Sequence, residues 1–154
     1  MRQEHRKWLW WGAVALWVAV VLGFSSDRFS AESTSRFLAP LVRWIFPAIT
    51  AETQQLLQFL VRKGAHAFEY AVLAALAYRA LRESSPPWRS AGFSLALVVA
   101  VAVADETHQA FAAARTGSAI DVSLDMAGGA AALLLLIGIR RLLQVRRLQH
   151  EAAG

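Results

Sequence analysis

Residues 120–139 form a run of twenty in which only Asp121 and Asp125 carry charge. As a helix, twenty residues rise about 30 Å, the thickness of a bilayer's hydrocarbon core. Three other segments repeat the pattern. Residues 8–24 carry no charge and open with Trp8, Trp10 and Trp11, side chains suited to the headgroup level of a membrane. Residues 63–81 are largely apolar after their first turns, and the apolar run 91–104 continues helically to Phe111. A chain that is 56% hydrophobic and 18% charged, with mean hydropathy +0.39, departs from soluble composition in the same direction. The sequence therefore predicts an all-α integral membrane bundle of four transmembrane helices (8–24, 63–81, 91–111, 120–139) in one domain over 1–154.

The first span follows Arg2, Arg6 and Lys7, as a secretory signal would. Its apolar part is longer than such a signal's core and no small-residue cleavage site follows, so it reads as an uncleaved anchor. Four spans place both termini on one side. The termini and the connection between spans two and three hold ten basic residues against Glu4, Glu83 and Glu151, a net +7, whereas the other side nets −2. The excess of Lys and Arg marks the cytoplasmic side, with residues 140–154 as a basic tail there. Ser84-Ser85-Pro86-Pro87 makes the inner turn, because consecutive prolines cannot continue a helix. In the long outer connection, Phe37, Leu38, Leu41, Val42, Trp44, Ile45 and Phe46 alternate with Arg36 and Arg43. This predicts an interfacial amphipathic helix broken at Pro40 and Pro47. A second helical stretch, 52–61, leads into span two.

The net charge of +5 and pI near 10.7 do not signal a nucleic-acid binder, because the basic residues lie between apolar runs and form no aromatic-interleaved face. The chain has no cysteine, which excludes disulfides and thiolate chemistry.

With that topology, polar residues gather at one depth on the outer side. Lys63, His66 and Tyr70 share one face of span two, with Glu69 beside them. Asp105, Glu106, His108 and Gln109 close span three, and Arg115 lies in the loop that follows. Asp121 and Asp125 stand one turn apart on span four, and Gly128 continues their face. Snorkelling explains Lys63 and Arg62, a helix terminus explains Asp121, and an aromatic belt explains Tyr70. His66, Glu69, Asp105 and Asp125 lie deeper in apolar sequence, where an ionisable group costs about 2.5–3.5 kcal/mol on insertion scales and marks a function by default.

The strings Arg62-Lys63-x-Ala65-His66-x-Phe68-Glu69-Tyr70-x-x-Leu73, Asp105-Glu106-x-His108-Gln109-x-Phe111 and Arg115-x-Gly117-Ser118-x-x-Asp121-Val122-x-x-Asp125-x-x-Gly128 resemble the three signatures of the VanZ-like membrane protein family. The resemblance extends from Ser25-Ser26 to about Gly138. Ala112-Ala113-Ala114 stands where the family often has a Pro/Gly turn, and Asp125 where many members carry Asn. The resemblance implies a small multipass protein of the bacterial cytoplasmic membrane, in a family whose namesake is linked to resistance to the glycopeptide teicoplanin. Some relatives carry a phosphotransbutyrylase label, for which this sequence offers no acyl-CoA or phosphate-binding loop.

Binding is the leading reading. Lys63, His66, Glu69, Tyr70, Asp105, Glu106, His108, Gln109, Arg115, Asp121 and Asp125 would line an outward-facing pocket for a lipid headgroup, a cell-wall precursor or a lipophilic glycopeptide. Lys63 and Arg115 would hold a phosphate or carboxylate of that ligand. The alternative is a membrane-embedded enzyme, with His66, Asp105 and Glu106 as candidate acid–base groups, and the third reading is an ion-paired bundle without ligand. No nucleophile is well placed, no cofactor is called for, and the absence of a His-x-x-x-His pair argues against a metal. Charges confined to one surface argue against proton-coupled transport. Orientation is tested directly by labelling. Cysteines introduced as Ser30→Cys and Gly117→Cys should react with an impermeant thiol reagent on intact spheroplasts and Ser85→Cys should not; the reverse pattern would invert the topology.

Overall fold

The computed structural model describes residues 2–24, 31–111 and 119–153, and every regular element among them is helical. Five helices follow in order: α1 (Arg2–Phe24), α2 (Ala31–Ile45), α3 (Ala51–Leu81), α4 (Pro87–Phe111) and α5 (Ala119–Ala153). The expected lead-in 52–61 is the first third of α3, and the basic tail is the continuation of α5.

Helix α3 is the hub, packing against each of the other four. Its start is fixed by Thr50, whose extended backbone (φ −70°, ψ 154°) lets Oγ1 accept from the Thr53 amide at 3.3 Å. At its other end the Ser84 amide donates to the Leu81 carbonyl and the Arg82 guanidinium to the Ser85 carbonyl at 2.8 Å. Pro87 then opens α4, in the first-turn position where a missing N–H costs nothing. Helix α2 runs through Pro40 where a break was expected and stops before Pro47. Pro40 and Arg36 are both exposed, so the helical carbonyl that the proline leaves without a donor faces outward. Ser35, Leu38, Ala39 and Val42 turn inward at helical spacing, and Arg43 Nε ties α2 to Gln54 of α3 at 2.8 Å.

Tyr70, Leu73, Ala74 and Ala77 form the buried stripe of α3, met by Val98 and Ala102 of α4, Leu133 of α5, and Val14 and Val21 of α1. Helix α1 runs antiparallel to α3. Trp17 Nε1 donates to the Glu69 carbonyl at 2.9 Å, Trp10 faces the Arg79 guanidinium, and Arg6 bridges to Glu83 at 2.7 Å. Helices α3 and α5 run parallel, in a register marked by contacts between Lys63 and Asp121, between Ala67 and Gly128, and between Tyr78 and Arg140.

Among the described residues two helices are long and apolar enough to cross a membrane: α4 over Pro87–Gln109, with mean hydropathy 1.5, and α5 over Ala119–Glu151, with 2.0. Of the other two expected spans, 63–81 is the more polar, whereas 8–24 carries no charge. Lys63, Glu69 and Arg79 lower the hydropathy of α3. Only 28% of the apolar window of α4 and 17% of that of α5 are buried inside the protein, whereas the core helix of a soluble domain is mostly buried. Leu134, Leu135, Leu142 and Phe93 are all more than half exposed. An outward apolar surface of this extent calls for an apolar surrounding.

At the α3–α5 crossing, a Cβ added to Gly128 would clash with the carbonyl oxygen of Ala67, a backbone atom that cannot move aside. Glycine is required there by close approach of the two helices. Gly128→Ala should therefore lower stability by about 1–3 kcal/mol, read as a fall in the unfolding temperature in detergent. Gly138→Ala, where nothing lies within 4 Å, should leave it unchanged or slightly higher.

Candidate functional site

The buried stripe of α3 turns polar towards its N-terminal half, so Lys63, His66 and Tyr70 lie on the same face as the core residues beyond them. The parallel register brings the first turns of α5 alongside, and the antiparallel α4 delivers its last turns to the same end of the bundle. Short polar motifs far apart in sequence are thus collected by helix direction alone.

Asp105 and Asp125 lie at the bottom, each 1% exposed. Asp105 Oδ2 accepts from the Tyr70 hydroxyl at 3.3 Å and from Gln109 Nε2 at 3.1 Å. Its other oxygen, and both oxygens of Asp125, are buried without a hydrogen-bond partner among the described residues. Glu106 and Gln109 are buried in the same turns of α4, whereas His108 is exposed. The rim is more open. Lys63 Nζ pairs with Asp121, and His66 Nδ1 stands 4.0 Å from Glu69 Oε2; these four side chains are between 19% and 27% exposed. Asp125 lies within electrostatic reach of Asp105, Glu106, Asp121 and Lys63, and Tyr70 within reach of Glu69, Asp105 and Asp125.

Ten of the eleven residues singled out from sequence are thereby located, and all but His108 are at least partly buried at this end of the bundle. Arg115 and Ser118 lie outside the described residues, as does Ala112-Ala113-Ala114. Trp17, which belongs to none of the sequence motifs, also bears on this site. An indole in the middle of an apolar span, away from the headgroup level, needs an acceptor for its N–H and is a legible signal of helix–helix contact. It finds one in the Glu69 carbonyl and so braces the turn of α3 that carries the rim.

The balance of charge is the main electrostatic feature. Glu69, Asp105, Glu106, Asp121 and Asp125 face one lysine and one histidine among the described residues. Like charges close together in a low-dielectric setting repel strongly. The arrangement is suited to hold a cation or a donor-rich group, or to share protons among carboxylates. Among the described residues, no group of three or more His, Cys, Asp or Glu has the arrangement of a metal site.

The family model for VanZ/LLP1 matches residues 10–143, which include the whole of this cluster. The chain belongs to the VanZ/LLP1 family. No curated protein and no solved structure matches it. Membership together with α4 and α5 is consistent with a membrane protein.

The rim pair gives a direct energetic test. Lys63→Met should strand Asp121 and lower the unfolding temperature. Adding Asp121→Asn should restore part of the loss, with a coupling of about 1 kcal/mol for a half-open pair. Additive losses in the double variant would show that the two side chains do not interact.

Proposed function

We propose that this chain is a four-span protein of the bacterial cytoplasmic membrane, with both termini inside, whose carboxylate-rich cluster is an outward-facing binding site for an envelope component. The candidates are a lipid headgroup, a cell-wall precursor and a lipophilic glycopeptide, and the group recognised is an ammonium or another cluster of hydrogen-bond donors. The observation that carries this reading is one buried carboxylate oxygen of Asp105 and both of Asp125, without a hydrogen-bond donor among the described residues, beneath a half-open rim. Leaving such groups unpaired costs about 1–3 kcal/mol each or more, a cost that a ligand's donors would offset. Lys63 is already engaged by Asp121. The anion clamp expected from Lys63 and Arg115 is therefore the weaker version of the site, and a positively charged group on the ligand the stronger one. The family's association with teicoplanin resistance supports placing that ligand in the envelope.

Catalysis is the second reading, and the observation that favours it is the neighbourhood of His66 and Glu69 beside buried carboxylates. Their separation of 4.0 Å is beyond hydrogen-bond length, and contact would have to tighten on binding. Internal bracing is the third.

The test combines capture and phenotype. Native mass spectrometry of the purified protein should retain phosphatidylethanolamine, which bears an ammonium. Asp105→Asn and Asp125→Asn should each weaken that retention by about tenfold or more, and both should abolish any protection that expression gives a host against teicoplanin. Retention and protection unaffected in both variants would sink the binding site. Chemical conversion of the retained lipid by wild type, lost in His66→Gln, would replace binding by catalysis.

A further inference from the structure

A second polar site lies at the opposite end of the bundle, where α3 ends, α4 begins and α5 continues past its apolar stretch. A cavity of about 310 Å³ is lined there by Arg82, Arg140, Arg141 and Arg147, and no carboxylate lines it. Its apolar wall is made by Tyr78, Ile137 and Leu143. Arg140 and Arg147 are two turns apart on α5 with Gln144 between them, so one helix face presents a ladder of donors. The Arg140 guanidinium sits 5.6 Å from the centre of the buried Tyr78 ring, which holds it at the mouth.

Two further observations indicate that the charge of these cations is not answered by a carboxylate among the described residues. Glu83, the carboxylate nearest in sequence, does not line the cavity and stands at ion-pair distance from Arg6 (2.7 Å) and Arg79 (3.7 Å). Arg82 spends Nη1 on the Ser85 carbonyl, yet its Nε is buried with no hydrogen-bond partner among the described residues. A buried, unanswered guanidinium N–H beside three other arginines is a poor way to end a helix and a good way to receive an oxyanion. Planar guanidinium forks match phosphate oxygens in pairs.

We propose that this cavity binds the phosphate of an anionic membrane lipid. The apolar wall distinguishes a lipid from a free ion. Ile137 lies within the apolar part of α5 and Arg140 marks where it gives way to basic residues, so the cavity straddles the level at which acyl chains meet headgroups. The proposal takes from the preceding section only that this end meets a membrane surface. The carboxylate cluster lies at the other end, so failure of either site leaves the other standing.

The experiment uses the full chain in detergent and short-chain phosphatidylglycerol, followed by thermal stabilisation and by native mass spectrometry. Wild type should bind it saturably and in preference to phosphatidylcholine, which is net neutral. Arg140→Gln/Arg147→Gln should weaken binding by about tenfold or more, and Arg147→Gln alone should act in the same direction without disturbing the Tyr78 contact. Arg89→Gln/Arg146→Gln removes the same charge outside the cavity and should leave affinity within about twofold. Inorganic phosphate is the competitor. Weak or no displacement supports the lipid, whereas full displacement at low concentration would replace it by a soluble phosphate. Equal losses in the two double variants, equal binding of phosphatidylcholine, or no saturable binding would overturn the site.

Discussion

The parallel contact between α3 and α5 sets the position of nearly everything else. Where Gly128 meets the backbone of Ala67 the two helices approach as closely as side-chain-free packing allows. Towards one end the register sets Lys63 beside Asp121 and lowers Asp125 into the company of Tyr70 and Asp105. Towards the other it lays Arg140 against Tyr78. Small residues make this contact, because in an apolar surrounding the gain comes from close packing and not from removing oil from water.

Charge is distributed along this frame with opposite sign at its two ends. The end formed by the start of α5 is rich in carboxylates, two of them buried almost completely, and the end formed by the turn between α3 and α4 is rich in arginine. Apolar residues that face outward separate the two. Bracing alone does not account for the acidic end. A bundle is stabilised by matched pairs or by none, and breaking the match leaves stranded charge. Among the described residues Lys63 is paired with Asp121, whereas Asp105 is answered on one oxygen by Tyr70 and Gln109 and neither oxygen of Asp125 has a hydrogen-bond partner. Sites that hold like charges against their own stability commonly do so for a ligand.

Much of this was legible in the sequence. The spacing of Lys63, His66 and Tyr70, and of Asp121 and Asp125, defines faces that need no structure to draw. Apolar length and turn residues gave the helices, apart from the continuity of α2 through Pro40. What the sequence could not give was pairing. Nothing in the order of residues says that Lys63 goes to Asp121 in preference to Glu69, or that His108 turns outward while Glu106 and Gln109 turn in, because these depend on the rotation of α4 against its neighbours. The basic cavity was hidden for the same reason. Its arginines read as a positive-inside signal, and only the register of α5 on α3 gathers Arg82, Arg140 and Arg147 around one space.

The register of α3 against α5 is therefore the claim on which both ends depend, and the absence of native cysteine makes it directly measurable. Pairs of cysteines would be introduced in membranes as Lys63→Cys/Asp121→Cys, Tyr78→Cys/Arg140→Cys and, three turns out of register, Lys63→Cys/Ala132→Cys, then treated with a short bifunctional reagent. The parallel register predicts rapid crosslinking of the first two pairs and none of the third. Crosslinking of the third pair in preference to the first two would place Asp125 and Arg140 elsewhere and contradict both sites at once.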